Sequence, residues 1–107
     1  MGQTLEDTFS ALGDPTRLGI VGRLGLGPAS VTELAEPLTM SLRAVLKHVQ
    51  VLEDAGLVRT AKAGRVRTCE LNPRAVEDAA RWIEQLRQTW ERRLDRIDKY
   101  VTSKERR

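Results

Sequence analysis

Arg43, Lys47 and His48 are the side chains of this sequence best placed for chemistry, close together in "MSLRAVLKHVQVLEDAGLV" (Met40 to Val58). A guanidinium presents a rigid fork of donors that matches a phosphate or the major-groove edge of guanine. An ammonium is a point charge better suited to phosphate. His48, the only histidine, has two readings: donating to a phosphate, or capping a buried edge of the fold. Metal and redox chemistry have less to work with. Cys69 is the only cysteine, and the acids of the closing stretch, Asp78, Glu84, Glu91 and Asp95, have no histidine among them. Soft or borderline ions want thiolate or imidazole, and carboxylates alone hold hard ions weakly. Pairs such as Glu77–Arg81 and Arg87–Glu91, four apart on a helix, explain these acids as a solvated face. No metal site and no cofactor is expected. No nucleophile–base pair, glycine-rich phosphate loop or carboxylate dyad stands out, so an enzyme is not expected either.

The elements that must position the basic residues follow from the spacing of apolar residues and from caps. Leu5, Phe9 and Leu12 mark a short amphipathic helix ended by Gly13. "DPTR" restarts the chain, with Asp14 as cap and Pro15 at the first helical position. That second helix points Leu18, Val21 (or Ile20) and Leu24 inward, and Gly19, Gly22 and Gly25 suggest close packing around it. "SVTE" is a capping box of Ser30 and Glu33, opening a brief helix that must end near Pro37. About four residues later Ser41 (or Thr39) caps the next helix, whose Val45, Val49 and Leu52 face the core before Gly56 stops it. Two helices joined by so short a turn form a helix-turn-helix.

Residues on or beside the outward start of that helix are Ser41, Arg43, Ala44, Lys47 and His48, beside Leu42. The next stretch, "LVRTAKAGRVRTCEL", changes period and reads as a β-hairpin about Gly64, with Arg59 in its first strand and Arg65 and Arg67 near its tip. Cys69, in the second strand, reads as a half-buried structural thiol. From Pro73 to Val101 a long helix is expected, capped by Asn72, with Glu77 and Asp78 near its positive end. Its apolar side carries Val76, Ala79 or Ala80, Ile83, Leu86, Trp90, Leu94, Ile97 and Val101. Such a helix runs about 43 Å, longer than a domain of this size is wide (~27 Å), so its far half needs a partner surface. Trp82, Trp90 and Tyr100 read as packing residues first, although an effector pocket between paired helices stays open.

The chain has 107 residues, hydrophobic residues at 40% and charged residues at 31%, a globular balance for one domain. The net charge of +3 is modest, so its distribution decides more than its size. Residues 1–40 set Arg17 and Arg23 against Glu6, Asp7, Asp14, Glu33 and Glu36, a balance of −3. Residues 41–67 set Arg43, Lys47, Arg59, Lys62, Arg65 and Arg67 against Glu53 and Asp54, a balance of +4. The positive charge therefore gathers on the second helix of the helix-turn-helix and on the hairpin, which suits an acidic partner. The lone cysteine, the lack of a membrane-length apolar run and the lack of a signal-like start fit a cytoplasmic protein.

Taken in order, "ALGDPTRLGIVGRL", the capping box, "MSLRAVLKHVQVLEDAGLV", the basic hairpin and the long Trp-bearing helix resemble an ArsR-type winged-helix transcriptional repressor, of a branch lacking the metal-binding cysteines. The resemblance implies a mainly α winged helix-turn-helix with a small β-hairpin, forming a homodimer through its first and last helices. It implies a single domain over 1–107, with a core over 3–72, a dimerisation helix over 73–101 and a frayed tail over 102–107. Dimer residues would be Leu5, Phe9, Leu12, Ile83, Leu86, Trp90, Leu94 and Ile97. Double-stranded operator DNA with an inverted repeat would be the partner, met by Ser41, Leu42, Arg43, Ala44, Lys47, His48, Arg59, Arg65 and Arg67, with no membrane contact and the effector unknown. Leu42 and Leu46 stand where many relatives carry polar residues; they either touch thymine methyls or pack. Two alternatives remain: a metal- or thiol-responsive sensor repressor, and a dimeric interaction module with the same fold that does not bind DNA.

Overall fold

The computed structural model describes residues 4–105; Gln3 of the expected core and Arg106 and Arg107 of the expected tail lie outside the described residues. The chain orders as α1 (Leu5–Leu12), α2 (Pro15–Leu24), β1 (Ala29–Ser30), α3 (Val31–Ala35), α4 (Leu42–Asp54), β2 (Val58–Ala63), β3 (Val66–Leu71) and α5 (Pro73–Glu105). This is a mainly helical winged helix-turn-helix, and the wing is a three-stranded antiparallel sheet in the order β1-β3-β2. The expected hairpin is there, with Val58 opposite Leu71 and Ala63 opposite Val66. The third strand was not foreseen: β1 is two residues long and pairs Ala29 with Cys69 and Ser30 with Thr68. Gly64 has φ of 61° and begins the two-residue turn, where a positive φ lets the turn follow the strand twist.

Caps set the helix starts. A box of Thr4 and Asp7 opens α1, with the Asp7 N–H donating to Thr4 Oγ1 at 3.1 Å and the Thr4 N–H to the Asp7 carboxylate at 3.2 Å. Ser30 and Glu33 repeat the device for α3, and Ser41 caps α4 by accepting from the Ala44 N–H at 3.1 Å. At the end of α4, Gly56 has φ of 80°. The Leu57 N–H then reaches the Leu52 carbonyl and the Gly56 N–H the Glu53 carbonyl, each at 3.0 Å, which closes the helix in a Schellman turn. Asn72 links this turn to α5: its side chain donates to the Gly56 carbonyl at 2.9 Å and accepts from the Arg74 N–H. Glu77 and Asp78 fall in the second turn of α5, beyond the reach of its positive end.

The core is built on α4. Val45, Val49 and Leu52 are buried with Ile20, Leu24, Ala29, Val31, Leu34, Leu57, Val58 and Cys69. Two expectations for α2 are overturned. Leu18 is 56% exposed, because the side of α2 that packs inward is set by Ile20, the stated alternative to Val21, and Leu24, both buried; Arg17 lies on that side and its Nε donates to the Ala11 carbonyl at 2.7 Å. A Cβ added to Gly19 or Gly22 would meet nothing within 4 Å, so these glycines do not mark close packing within the chain. On α1 the most buried residues are Thr8 and Ala11, while Leu5, Phe9 and Leu12 are half-buried at the edges. Leu12 packs on the core, and Phe9 lies against Trp82 of α5 with ring centroids 5.6 Å apart.

Helix α5 has 33 residues and continues through Glu105, so residues 102–105 of the expected frayed tail are helical. At ~1.5 Å per residue it is about 50 Å long and runs away from the rest of the chain. The radius of gyration is 19.6 Å, against about 13 Å for a compact chain of this length. Ile83, Leu86, Trp90, Leu94, Ile97 and Val101 are exposed along it, and only Ala79 of the apolar side is buried. On its polar side Arg87 pairs with Glu84 and Glu91, and Arg81 meets Asp78 rather than Glu77.

Truncating Leu52 should test the inside of this assignment and truncating Leu18 the outside. Leu52→Ala should cost about 2–5 kcal/mol, the range for a filled site emptied in a core. Leu18→Ala should stay within about 0.5 kcal/mol. Urea unfolding of both variants at one fixed protein concentration is the check, since dimerisation would make stability concentration-dependent.

Candidate nucleic-acid interface

With Val45, Val49 and Leu52 turned to the core, the rest of α4 divides into three faces by the 100° step of a helix. Arg43 and Lys47 project outward and are exposed, with Gln50 one turn further in the same line. Gln50 was not among the expected residues, although its spacing of seven from Arg43 gives it that direction; its amide donates to Asp54 at 2.9 Å. Leu42 and Leu46 look toward the wing and are 48% and 38% exposed. Ala44 and His48 are half-buried on the flank toward α2.

His48 is engaged there. Its Nδ1 lies 3.3 Å from Arg17 Nη1 and 3.8 Å from the Asp14 carboxylate. Since a guanidinium only donates, Nδ1 accepts in that contact, and the ring's Nε2 carries the proton of the neutral form. The "DPTR" turn therefore ties the end of α1, the start of α2 and the flank of α4 together through Arg17. Asp14 is held below the usual carboxylate range, first by the Arg17 backbone N–H and further by the neighbouring positive charge. Ser41's oxygen is committed to the α4 cap, which leaves its hydroxyl proton available outward.

The wing's basic residues separate by face, as strand alternation requires. Val58, Thr60 and Lys62 alternate toward α4 on β2, and Arg67, Cys69 and Leu71 do so on β3, with Lys62 directly opposite Arg67. Arg67 is not free at the tip: it donates to Thr60 Oγ1 at 3.2 Å, and Thr60 donates to Glu53 at 2.7 Å. Arg59 points to the other face of the sheet, 3.7 Å from Glu70, so the structure does not bring it to α4. Arg65 is exposed in the turn itself. Lys62, Arg65, Val66 and Arg67 line one cleft of about 370 Å3 with Leu42, Leu46 and the start of α3. Lys62 is the residue that the expected set omitted. Counting alternate positions from the buried Val58 would have found it.

Cys69 is fully buried rather than half-buried, and burial pushes its thiol pKa up despite Arg67 nearby. Among the described residues, no three His, Cys, Asp or Glu side chains gather as metal ligands, and no helix is long and apolar enough to cross a membrane.

Comparison with known proteins agrees with this geometry. A helix-turn-helix domain family matches residues 12–61. HTH-type transcriptional regulator Rv2034 of Mycobacterium tuberculosis is 44% identical over 68 residues. That match spans 64% of this chain and 64% of the relative, just under two thirds of its length. The crystal structure of an ArsR family transcriptional regulator superposes with a TM-score of 0.76 at 45% identity, covering 81% of this chain and 96% of that one. A solution structure of a homodimeric winged helix-turn-helix DNA-binding domain from Mycobacterium bovis has a TM-score of 0.60 at 26% identity, over 83% of this chain and 80% of that one.

Two measurements test the chemistry assigned here. A carboxylate with a lowered pKa adds stability that is complete above the ordinary value of about 3.9 and disappears as pH falls through the lowered one. The stability difference between the native chain and Asp14→Asn should therefore be flat above about pH 5 and shrink in acid; a difference that widened on acidification would contradict the assignment. For Cys69, a thiol-reactive dye at neutral pH should label the folded chain no faster than it unfolds. Rapid labelling of the folded chain would mean an accessible thiolate.

Proposed function

The chain belongs to the ArsR family of winged helix-turn-helix transcriptional regulators, and on that premise we propose that it represses transcription by occupying an inverted-repeat operator as a homodimer. The observation that carries the reading is the alignment of Arg43 and Lys47 on the outward face of α4, with Lys62 and Arg65 of the wing across the cleft that Leu42 and Leu46 border. A helix of this kind fits the major groove, about 12 Å wide, with its N-terminal residues against base edges. In this reading Arg43 reads a base, Ser41, Ala44 and Lys47 lie along the strand, and Arg65 and Lys62 hold phosphates from the wing. His48, already tied by Nδ1, has its Nε2–H left for a phosphate. Arg59 does not take part, and Arg67 acts by buttressing Thr60 and the base of the wing.

The exposed side of α5 supports the homodimer. Ile83, Leu86, Trp90, Leu94 and Ile97 would pair with the same residues of a second copy, with Leu5 and Phe9 of α1 at the margin. Two α4 helices about one helical turn of DNA apart, or a small multiple, would then face successive major grooves. No metal or thiol input is needed for this, and the burial of Cys69 weighs against a thiol-responsive form.

The test is a titration of the purified chain onto its own upstream intergenic DNA and onto scrambled DNA at two salt concentrations. Specific binding, tighter at low salt and at two protomers per site, is expected. Arg43→Ala should lose about 1–3 kcal/mol on the operator and little on scrambled DNA, whereas Arg65→Ala should weaken both and lower the salt slope by about 1. Equal weak binding of the native chain to both DNAs would instead leave the dimeric interaction module.

A further inference from the structure

Leu42 and Leu46 are unexplained by the core. They lie one turn apart on α4, 48% and 38% exposed, next to Val45, which is fully buried. Neighbouring residues cover part of each, and what stays open borders the cleft of about 370 Å3 that α4 shares with the wing, with Val66, 53% exposed, at its rim. Packing within the chain, one of the two roles open to these leucines, therefore accounts for only part of each side chain and leaves an apolar surface facing the cleft. The opposite wall of the cleft carries Lys62, Arg65 and Arg67. An occupant must thus offer an apolar edge on the α4 side and negative charge on the wing side.

One strand of duplex DNA has that arrangement. Of the four bases only thymine places an apolar group, its C5-methyl, in the major groove, and the phosphates run alongside. We propose that Leu42 and Leu46 are specificity-determining residues that select thymines at fixed positions of each half-site through their methyl groups. This rests on the operator-binding reading above and adds to it which bases are chosen on the wing side of α4. Arg43, facing outward from the same turn, reads a separate position. Lys62 and Arg65 hold the phosphates from the wing side of the cleft.

Uracil keeps every hydrogen-bonding group of thymine and lacks only the methyl, which isolates the contact. The full chain would first select its preferred duplexes from a random pool, and those duplexes would be resynthesised with uracil at one thymine at a time. Binding should fall roughly four-fold at each position where a methyl is buried, the factor equivalent to one buried carbon group. The Leu42→Ala/Leu46→Ala double variant should bind thymine and uracil duplexes alike, and far-UV circular dichroism matching that of the native chain checks that it folds. Equal binding of both duplexes by the native chain at every position would overturn the proposal. So would a loss that persists undiminished in the double variant, which would place the methyl effect in DNA shape. If no sequence is enriched from the pool, the operator-binding reading fails and this proposal with it, an outcome distinct from the other two.

Discussion

The complete burial of one side of α4 is the constraint on which the rest depends. Val45 and Leu52 have no exposure and Val49 has 2%, so the helix cannot rotate without opening the core. A cavity left by one such side chain costs several kcal/mol, a large fraction of the stability of a domain this size. Every other residue of α4 takes its direction from that fixed rotation. Leu42 and Leu46 must look to the wing, Arg43, Lys47 and Gln50 must look out, and His48 must meet α2. The Schellman turn at Gly56 then fixes where β2 begins, and Asn72 ties the start of α5 to the same turn. Core, wing and long helix are thereby set relative to the basic face by a few adjoining residues.

The second tie comes from Arg17. A charged side chain facing inward costs desolvation unless its donors are satisfied, and here Nε meets the Ala11 carbonyl while Nη1 meets His48. The chain spends a guanidinium on joining α1, α2 and α4 where a leucine, Leu18, stood next in sequence. A leucine would have supplied burial but no direction. Arg17 supplies direction, because its donors accept only certain geometries, and this ties the end of α1 and the flank of α4 to the start of α2.

Much of this was legible in the sequence, for local reasons. The Ser30, Ser41 and Asp14 caps, the Val45–Val49–Leu52 spacing and the stop at Gly56 are each written in a few consecutive residues, and each is present. What was not legible depends on distant partners. On α2 the spacing left Val21 or Ile20 for the inside and placed Leu18 there too; the packing of Ile20 and Leu24 against the other elements puts Leu18 outside. Strand β1 is two residues long and exists because β3 offers it an edge, so no propensity marks it. Arg59 and Lys62 are equally basic on one strand; which of them meets α4 depends on which side of Val58 is covered. Gly19 and Gly22 suggested a close neighbour that the chain itself does not supply.

The long helix follows a different logic from the core. Its apolar residues are as regularly spaced as those of α4, yet within one chain they remain exposed from Ile83 to Val101. A 107-residue chain buries a small fraction of its unfolded surface compared with larger domains, and exposing a row of large side chains lowers that fraction further. A second copy meeting α5 with α5 would bury the row on both sides at once, since a two-fold interface uses the same patch twice. The Phe9–Trp82 contact lies where α1 meets the buried end of this row. In the proposed dimer, a shift of one α5 against the other would reach α1 through this contact and the end of α4 through Asn72. The spacing of the two basic faces and the packing of the long helices would then be one mechanical property, not two.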